Sequence, residues 1–188
     1  MRKVVFFLLL VSALPLASFA QSDVPPVEVF GGYSYLRTFS GYDDDAHGWN
    51  TSVSGNITRH FAVKADFAGH YQNYTVAGQN VDYSLHTFLF GPQFNFRTTD
   101  RVNPFVHAIF GAARDTARAT RGTAQAVVAD TGFAMAIGGG VDAKLAEHVS
   151  WRIFQADYLL TRYRNPFLTP VQKANINHMR VATGLVFH

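Results

Sequence analysis

The 188-residue sequence contains no cysteine, few charged residues and no apolar run long enough for a membrane-spanning helix. The absence of cysteine excludes disulfide bonds and any metal or thiol site built on cysteine. Charged residues make up 15% of the chain, well below the ~25% usual in soluble domains. After the first twenty residues no stretch approaches the ~18 consecutive apolar residues that a transmembrane helix needs.

Aromatic residues, in contrast, are abundant. The chain has 17 Phe, 8 Tyr and 2 Trp, and 48% of its residues are hydrophobic. Disordered chains are poor in aromatics and rich in charge, so this composition excludes disorder. The length is typical of one domain with a sizeable core.

The first twenty residues have the pattern of a cleaved signal peptide. Arg2 and Lys3 precede an apolar run over residues 4–16, and Ser18 and Ala20 form a small-x-small cleavage pattern. The run is too short to span a bilayer, although a retained N-terminal anchor is the alternative. We therefore expect a signal peptide over residues 1–20 and a single mature domain over residues 21–188. The mature domain has 14 basic and 13 acidic residues with no basic cluster, which argues against a nucleic-acid partner.

Segments of period two follow one another along the mature chain. Between Trp49 and Thr58, apolar residues and glycine on one parity alternate with small polar residues on the other, which indicates a strand with two different faces. The eight predicted strands are residues 27–36, 49–58, 61–72, 81–96, 104–114, 131–142, 149–161 and 179–187. Pro92 predicts a local irregularity in the fourth strand, and a parity change between Arg152 and Gln155 predicts a bulge in the seventh.

The predicted connections alternate between long and short. The long ones are residues 37–46, 73–80, 115–130 and 162–175, and the short ones are residues 58–60, 97–103 and 143–148. Eight strands joined in this way are typical of an antiparallel up-and-down transmembrane β-barrel with external loops and periplasmic turns. The fold class predicted is therefore all-β, with both termini of the mature chain at the periplasmic end.

Parity alone leaves open which face of the barrel is inside, so a soluble, lipocalin-like barrel with an apolar interior is an alternative. Two features favour the membrane barrel. The polar face is rich in small residues that suit a narrow interior, and aromatic residues at the strand ends suggest belts at both bilayer interfaces. The belt residues are Tyr33, Tyr35, Trp49, Tyr71 and Tyr83 at one end and Phe61, Phe96, Trp151 and Phe187 at the other.

Five short sequence segments, taken in their order along the chain, resemble those of a known protein family. They are Val-Glu-Val-Phe-Gly-Gly-Tyr-Ser-Tyr at 27–35, Gly-Pro-Gln-Phe at 91–94, Gly-Gly-Gly-Val-Asp at 138–142, Gln-Ala-Asp-Tyr at 155–158 and Arg-Val-Ala-Thr-Gly-Leu-Val-Phe at 180–187. The mature chain resembles the outer-membrane β-barrel domain family, the small eight-stranded barrels similar to the membrane domain of outer-membrane protein A. This resemblance implies a location in the outer membrane of a Gram-negative bacterium.

The resemblance also implies partners. The last strand resembles the family's assembly signal, read by the barrel-assembly machinery, through Met179, Val181, Thr183, Leu185 and Phe187. Outer-membrane lipids and lipopolysaccharide would surround the barrel. Arg162, Arg164 and Lys173 in the last predicted loop are candidates to meet lipopolysaccharide phosphates, although a solvated loop is the preferred interpretation. A monomer is expected, and the partner of the external loops is left open.

Charged residues on the polar parity are predicted to fill the lumen as a network of mutually paired groups. They are Glu28, Lys64, Asp66, Asp142, Arg152, Asp157 and Arg180. Eight strands enclose only enough room for side chains, so this interpretation is preferred to a narrow channel. The glycine run over residues 138–140 is expected to let the strand curve or to let neighbouring side chains fill the lumen.

No catalytic, cofactor or metal site is predicted. His148 and Ser150 resemble the His-x-Ser spacing of outer-membrane lipid A deacylases. The pair lies at a predicted periplasmic turn, away from the outer leaflet, and Glu147 is poorly placed to orient the base. The sequence thus predicts a structural or adhesive scaffold that presents four external loops. A narrow porin-like channel is the first alternative, and a lipid-modifying enzyme or a soluble ligand-binding barrel the second.

Overall fold

The computed structural model describes residues 24–39, 44–76, 79–99, 101–121, 124–165 and 172–188. The predicted signal peptide lies outside these residues. Eight strands occupy the described chain, and within it no helix is long and apolar enough to span a membrane. The strands are β1 (Val27–Thr38), β2 (Asp44–Asn56), β3 (Phe61–Val76), β4 (Gln79–Asn95), β5 (Val102–Arg121), β6 (Ala124–Lys144), β7 (Val149–Asn165) and β8 (Gln172–Phe187).

The strands form one closed antiparallel barrel in sequence order. Each strand pairs with the next, and β8 returns to pair with β1 from Val29↔Phe187 to Thr38↔His178. Closure leaves the barrel wall without an open sheet edge, which a bilayer requires because unpaired backbone groups there cost several kcal/mol each. In the predicted orientation, the short turns β2–β3, β4–β5 and β6–β7 lie at the periplasmic end.

The two parities of each strand face the two environments that a membrane barrel offers. Large apolar side chains such as Val53, Phe90 and Phe110 are exposed on the outer wall, whereas Ser52, Asp66 and their equivalents are buried in the lumen. An outward apolar band is what lipid selects. The soluble alternative, in which the polar parity meets water, is therefore wrong.

The strands are longer than the sequence pattern predicted. β5 and β6 pair continuously up to Arg121↔Ala124, so residues 115–121 and 124–130, predicted as parts of a loop, are paired strands of a tall hairpin. The predicted loops 37–46, 73–80 and 162–175 are shortened in the same way. A hairpin satisfies its backbone hydrogen bonds internally and therefore needs no apolar face beyond the bilayer. The alternation of apolar residues ends at the edge of the bilayer, but the strands continue beyond it.

The two irregularities predicted in the strands have different outcomes. The β7–β8 register shifts between Arg152 and Gln155, where the parity change predicted a bulge. In β4, partners on β5 are assigned to Phe90 and Gln93 but not to the intervening Gly91 and Pro92, and the register is the same on both sides. Proline thus interrupts the β4–β5 ladder, since it lacks an amide donor, without inserting an extra residue.

Candidate functional site: the charged lumen

The lumen contains three layers of different chemistry. Towards the extracellular end, β1, β4, β5 and β7 contribute Leu36, Leu85, Leu89, Ile109 and Leu159 to an apolar layer that alanines complete. The middle is charged. The periplasmic part contains a smaller cluster of Phe30, Ala182 and Val186 and a polar mouth.

The seven charged residues predicted for the interior are all buried in the barrel. Six of them form the middle layer, which we call the ionic layer, and Glu28 lies apart at the mouth. The six are Lys64, Asp66, Asp142, Arg152, Asp157 and Arg180, so positive and negative charges are equal in number. Balance matters because taking an ion out of water costs several kcal/mol unless a partner compensates it.

Arg180 is at the centre of the ionic layer. From β8 it donates to Asp66 Oδ1 on β3 at 2.7 Å and to Asp157 Oδ2 on β7 at 2.6 Å and 2.9 Å. β8 and β3 are not neighbours in the barrel, so the bond to Asp66 crosses the lumen. A guanidinium suits this position because its planar fork of donors can serve two carboxylates at once.

Lys64 makes a second connection across the lumen. Its Nζ lies 3.5 Å from Asp66 Oδ2 on the same strand and donates to Gln155 Oε1 on β7 at 3.2 Å. Gln155 in turn donates to Asp157 Oδ2 at 2.7 Å. His107 Nε2, on β5, lies 2.9 Å from Asp157 Oδ1. The layer thereby joins β3, β5, β7 and β8.

Arg152 and Asp142 form the remaining ion pair. Arg152 Nε and Nη2 donate to the two oxygens of Asp142 at 2.8 Å and 2.9 Å, which is a bidentate arrangement. The guanidinium also lies between the rings of Phe30 and Phe105, 4.3 Å from each centroid. Aromatic faces attract cations, so the rings close this part of the lumen and stabilise the charge together.

Glycine makes room for the network. On β6, a Cβ added to Gly138 would overlap Asp157 Oδ1 and the backbone of Ala156, and one added to Gly140 would come within 2.9 Å of the Phe105 ring. The glycine run was predicted to let neighbours enter the lumen, and at these two positions the neighbours are a network carboxylate and a ring that packs on Arg152.

Several members of the site were missed by the sequence reasoning. His107 and Gln155 lie on the inward parity of their strands and could have been found by that signal. Arg97 could not, because it lies in the β4–β5 turn and reaches Glu28 Oε1 at 2.8 Å through the folded chain. Glu28 also accepts from Asn56 Nδ2 at 2.9 Å.

The aromatic residues predicted to form the belts face outward, except for Tyr83. Seven of its nine members are exposed on the outer wall, and Tyr35 is half-buried. The seven are Tyr33, Trp49, Phe61, Tyr71, Phe96, Trp151 and Phe187. Tyr83 instead has inward parity and packs against the apolar layer, because β4 continues regularly through that position and Leu85 and Tyr83 share one face.

The polar ends of the outward aromatics have partners. Trp49 Nε1 lies 3.3 Å from Tyr71 Oη, and Trp151 Nε1 donates to Thr183 Oγ1 at 3.2 Å. Rings that combine an apolar body with a satisfied polar tip suit the headgroup region of a bilayer. On β8, Met179, Leu185 and Phe187 are exposed, whereas Val181 and Thr183 are half-buried.

The candidate deacylase pair is not assembled. Ser150 Oγ lies 2.8 Å from Nε2 of His188, not of His148, whose carbonyl accepts from the His188 amide at 3.0 Å. His188 Nδ1 has no hydrogen-bond partner among the described residues. Without a carboxylate on Nδ1, the base lacks the third group that orients it in hydrolases. Of the cations predicted to meet lipopolysaccharide, Arg162 is exposed and its Nε donates to Asn175 Oδ1 at 2.9 Å, while the side chains of Arg164 and Lys173 lie outside the described residues.

A closed eight-stranded barrel with an apolar outer wall and a paired ionic interior belongs to the class of small transmembrane β-barrels. The family model for the outer membrane protein β-barrel domain matches residues 6–187. The chain belongs to this family, and its location is the outer membrane of the Gram-negative envelope. Small barrels of this kind are typically non-enzymatic.

Solved structures of similar fold come from several bacteria. Ail, the attachment invasion locus protein of Yersinia pestis, is 18% identical, with a TM-score of 0.58 over 86% of this chain and 97% of Ail. The Neisserial surface protein A is 14% identical, with a TM-score of 0.63 over 87% and 97% of the two chains. OprG of Pseudomonas aeruginosa is 13% identical, with a TM-score of 0.50 over 86% and 94%. No curated protein sequence matches the chain.

Proposed function

We propose that the protein is a closed structural scaffold that holds protruding hairpins at the cell surface for envelope integrity or adhesion, and that it has no enzymatic activity. The proposal of a closed barrel rests on the hydrogen bond from Arg180 to Asp66 across the lumen. The hydrogen bond from Lys64 to Gln155 supports it. Side chains that bridge opposite walls occupy the space that an ion would need. The apolar layer above them adds a second barrier, since crossing it requires an ion to lose its hydration shell.

A protruding sheet supports the surface role. β3 pairs with β2 only up to His47↔Tyr71, and β6 pairs with β7 only from Phe133↔Arg162 onwards. Beyond these points, the ends of β3, β4, β5 and β6 remain paired with one another as a four-stranded extension. Val127 and Val128 are exposed on opposite faces of this extension. Side chains on an extension of this kind lie beyond the bilayer, where they are accessible to an external surface.

Lipopolysaccharide is the proposed lipid partner. Arg114 and Arg118 on β5 and Arg162 on β7 are exposed and point outward at the extracellular end of the barrel. Guanidinium groups bind phosphates with two parallel hydrogen bonds. Arginines just beyond the apolar band suit the height at which lipid A carries its phosphates. The last strand is proposed to guide assembly through the barrel-assembly machinery, and the barrel to work as a monomer.

Two experiments test the proposal. Purified protein in a planar bilayer is expected to give no discrete conductance steps, and reproducible steps in the unmodified protein would favour the narrow channel. In nanodiscs, added lipopolysaccharide is expected to raise the unfolding temperature of the unmodified protein more than that of the double variant Arg118→Gln/Arg162→Gln. A control that keeps both charges, Arg118→Lys/Arg162→Lys, should retain more of the response than the glutamine variant.

A further inference from the structure

A cavity of about 490 Å³ lies at the periplasmic mouth of the barrel, below the ionic layer. All three periplasmic turns contribute to its wall, as do the residues just before β1 and just after β8. The volume is in the range of small-molecule sites, which run from about 300 to 1,000 Å³. The lumen above is filled, so the cavity opens only towards the periplasm.

The acidic residues of the cavity are already neutralised by arginines. Glu28 accepts from Arg97 at 2.8 Å, and both oxygens of Asp142 are held by Arg152. Because these carboxylates have their counter-ions, they contribute little net negative potential to the cavity.

Most of the remaining cations are unpaired. The opening is surrounded by Arg59 on the β2–β3 turn, Arg101 on the β4–β5 turn and Lys144 at the end of β6, and no ion pair engages their side chains in the part of the chain that the structure describes. Glu147 is the acidic residue left on the lining to oppose them. Cations converging from separate elements onto one concave surface favour an anion.

Polar groups deeper in the cavity are fixed in position. Ser150 is buried and bonded to His188, which leaves His188 Nδ1 without a partner among the described residues. Arg97 has a φ of 45°, and its backbone amide donates to Asn103 Oδ1 at 3.1 Å while its Nε donates to the Arg59 carbonyl at 2.7 Å. A residue other than glycine adopts this conformation only when its surroundings impose it. The turn is therefore preorganised around the opening.

We propose that this periplasmic cavity binds a phosphate group, held by Arg59, Arg101 and Lys144, with His188 Nδ1 available for a further hydrogen bond. Three unpaired cations match the charge of a phosphate better than that of a single carboxylate. The phosphate could belong to a lipid headgroup of the inner leaflet or to a soluble phosphate ester of the periplasm. The site lies at the opposite end of the barrel from the proposed lipopolysaccharide contacts and does not depend on them.

Glycerol 3-phosphate is the probe for the soluble source. Titrated into the folded protein in phosphatidylcholine nanodiscs, it is expected to shift the amide resonances of Thr99, Ser150 and His188 in a saturable way. The double variant Arg101→Gln/Lys144→Gln should bind about a hundredfold more weakly, since each charged contact contributes about a factor of ten. The control Arg37→Gln removes an exposed cation near the extracellular end of β1, outside both proposed phosphate sites, and should bind unchanged.

Nanodiscs containing phosphatidylglycerol distinguish the two sources. If the anionic lipid itself shifts these resonances and excludes glycerol 3-phosphate, the ligand is a lipid headgroup. If glycerol 3-phosphate binds equally in both kinds of nanodisc, the ligand is soluble. The proposal is overturned if neither probe gives a saturable shift, or if the cavity variant binds as well as the control while both retain the mobility shift of a folded barrel on unboiled gels.

Discussion

The apolar layer and the ionic layer of the lumen are buried to the same degree but close the barrel by different physics. Leu85, Leu89 and Leu159 are fully buried and fill space, and each contributes dispersion and transfer energy independently. Lys64, Asp66 and Arg180 are also fully buried, but each depends on its partners to offset the loss of hydration. The apolar layer should therefore tolerate single changes better than the ionic layer does.

The largest expected effect is at Arg180. Replacing it in Arg180→Met removes the counter-ion of both Asp66 and Asp157, which should cost about 3–5 kcal/mol of unfolding free energy. Urea titration of the protein in lipid vesicles measures the change. If the variant loses no more stability than a surface substitution such as Arg118→Met, the ionic layer does not depend on its charges.

The bidentate pair offers a way to separate charge from volume. Arg152→Met should destabilise the barrel because it leaves Asp142 charged and unpaired, whereas Arg152→Met/Asp142→Asn should recover most of the loss. The same urea titration compares the two variants. A double variant that is no more stable than the single one would mean that the loss comes from the packing of Arg152 between the two rings, and not from the unpaired charge of Asp142.

A truncation in the apolar layer should cost somewhat less. Leu89→Ala leaves a cavity among well-packed neighbours, and the expected loss is about 2–4 kcal/mol. No charge is stranded, so a volume-conserving Leu89→Met should restore nearly all of the stability. Equally small losses from the alanine and methionine variants would show that this layer is not tightly packed.

Glycine substitutions are expected to change the unfolding free energy by smaller amounts. Gly138→Ala would force Asp157 and the backbone of β7 to move, with an expected loss of about 1–3 kcal/mol. Gly55, in β2, has nothing within 4 Å of the position of an added Cβ, so Gly55→Ala is the matched control and should be close to neutral. If the two variants have the same stability, the space beside Asp157 is not restricted.

The smallest effect concerns pH at the mouth of the barrel. Burial lowers the pKa of His188 below its usual value of 6.5, so the unfolded chain binds the proton more readily than the folded one. Stability from this residue should be present above pH 6.5 and decline as the pH falls below that value. His188→Gln should remove this part of the decline between pH 7 and pH 5, measured by urea titration at each pH.

The sequence predicted the parts of the fold that depend on local alternation. Lipid on one side and a narrow lumen on the other impose a period of two. The start of β3 at Phe61 and the parity shift at Arg152 were therefore visible. The heights of the strands were not, because residues 115–121 and 124–130 pair with each other outside the bilayer, where neither face has to be apolar.

The contacts within the lumen were harder to predict from the sequence than the location of the charged residues. Parity placed Arg180 and Asp66 on the inward face, but their contact joins strands separated by two others and depends on closure of the barrel. Tyr83 was assigned to the outer belt from its place near a strand end, although its parity is inward. The pairing of Ser150 with His188 depends on the β7–β8 register at the mouth, which a sequence motif does not specify.

The cross-lumen contact between Asp66 and Arg180 closes the barrel, and a double-mutant cycle measures its strength. Asp66→Asn, Arg180→Met and the double variant would be unfolded by urea in the same lipid vesicles. We expect the effects not to be additive, with a coupling energy above about 1 kcal/mol. Additivity within about 0.3 kcal/mol would mean that the two residues do not hold the opposite walls of the barrel together.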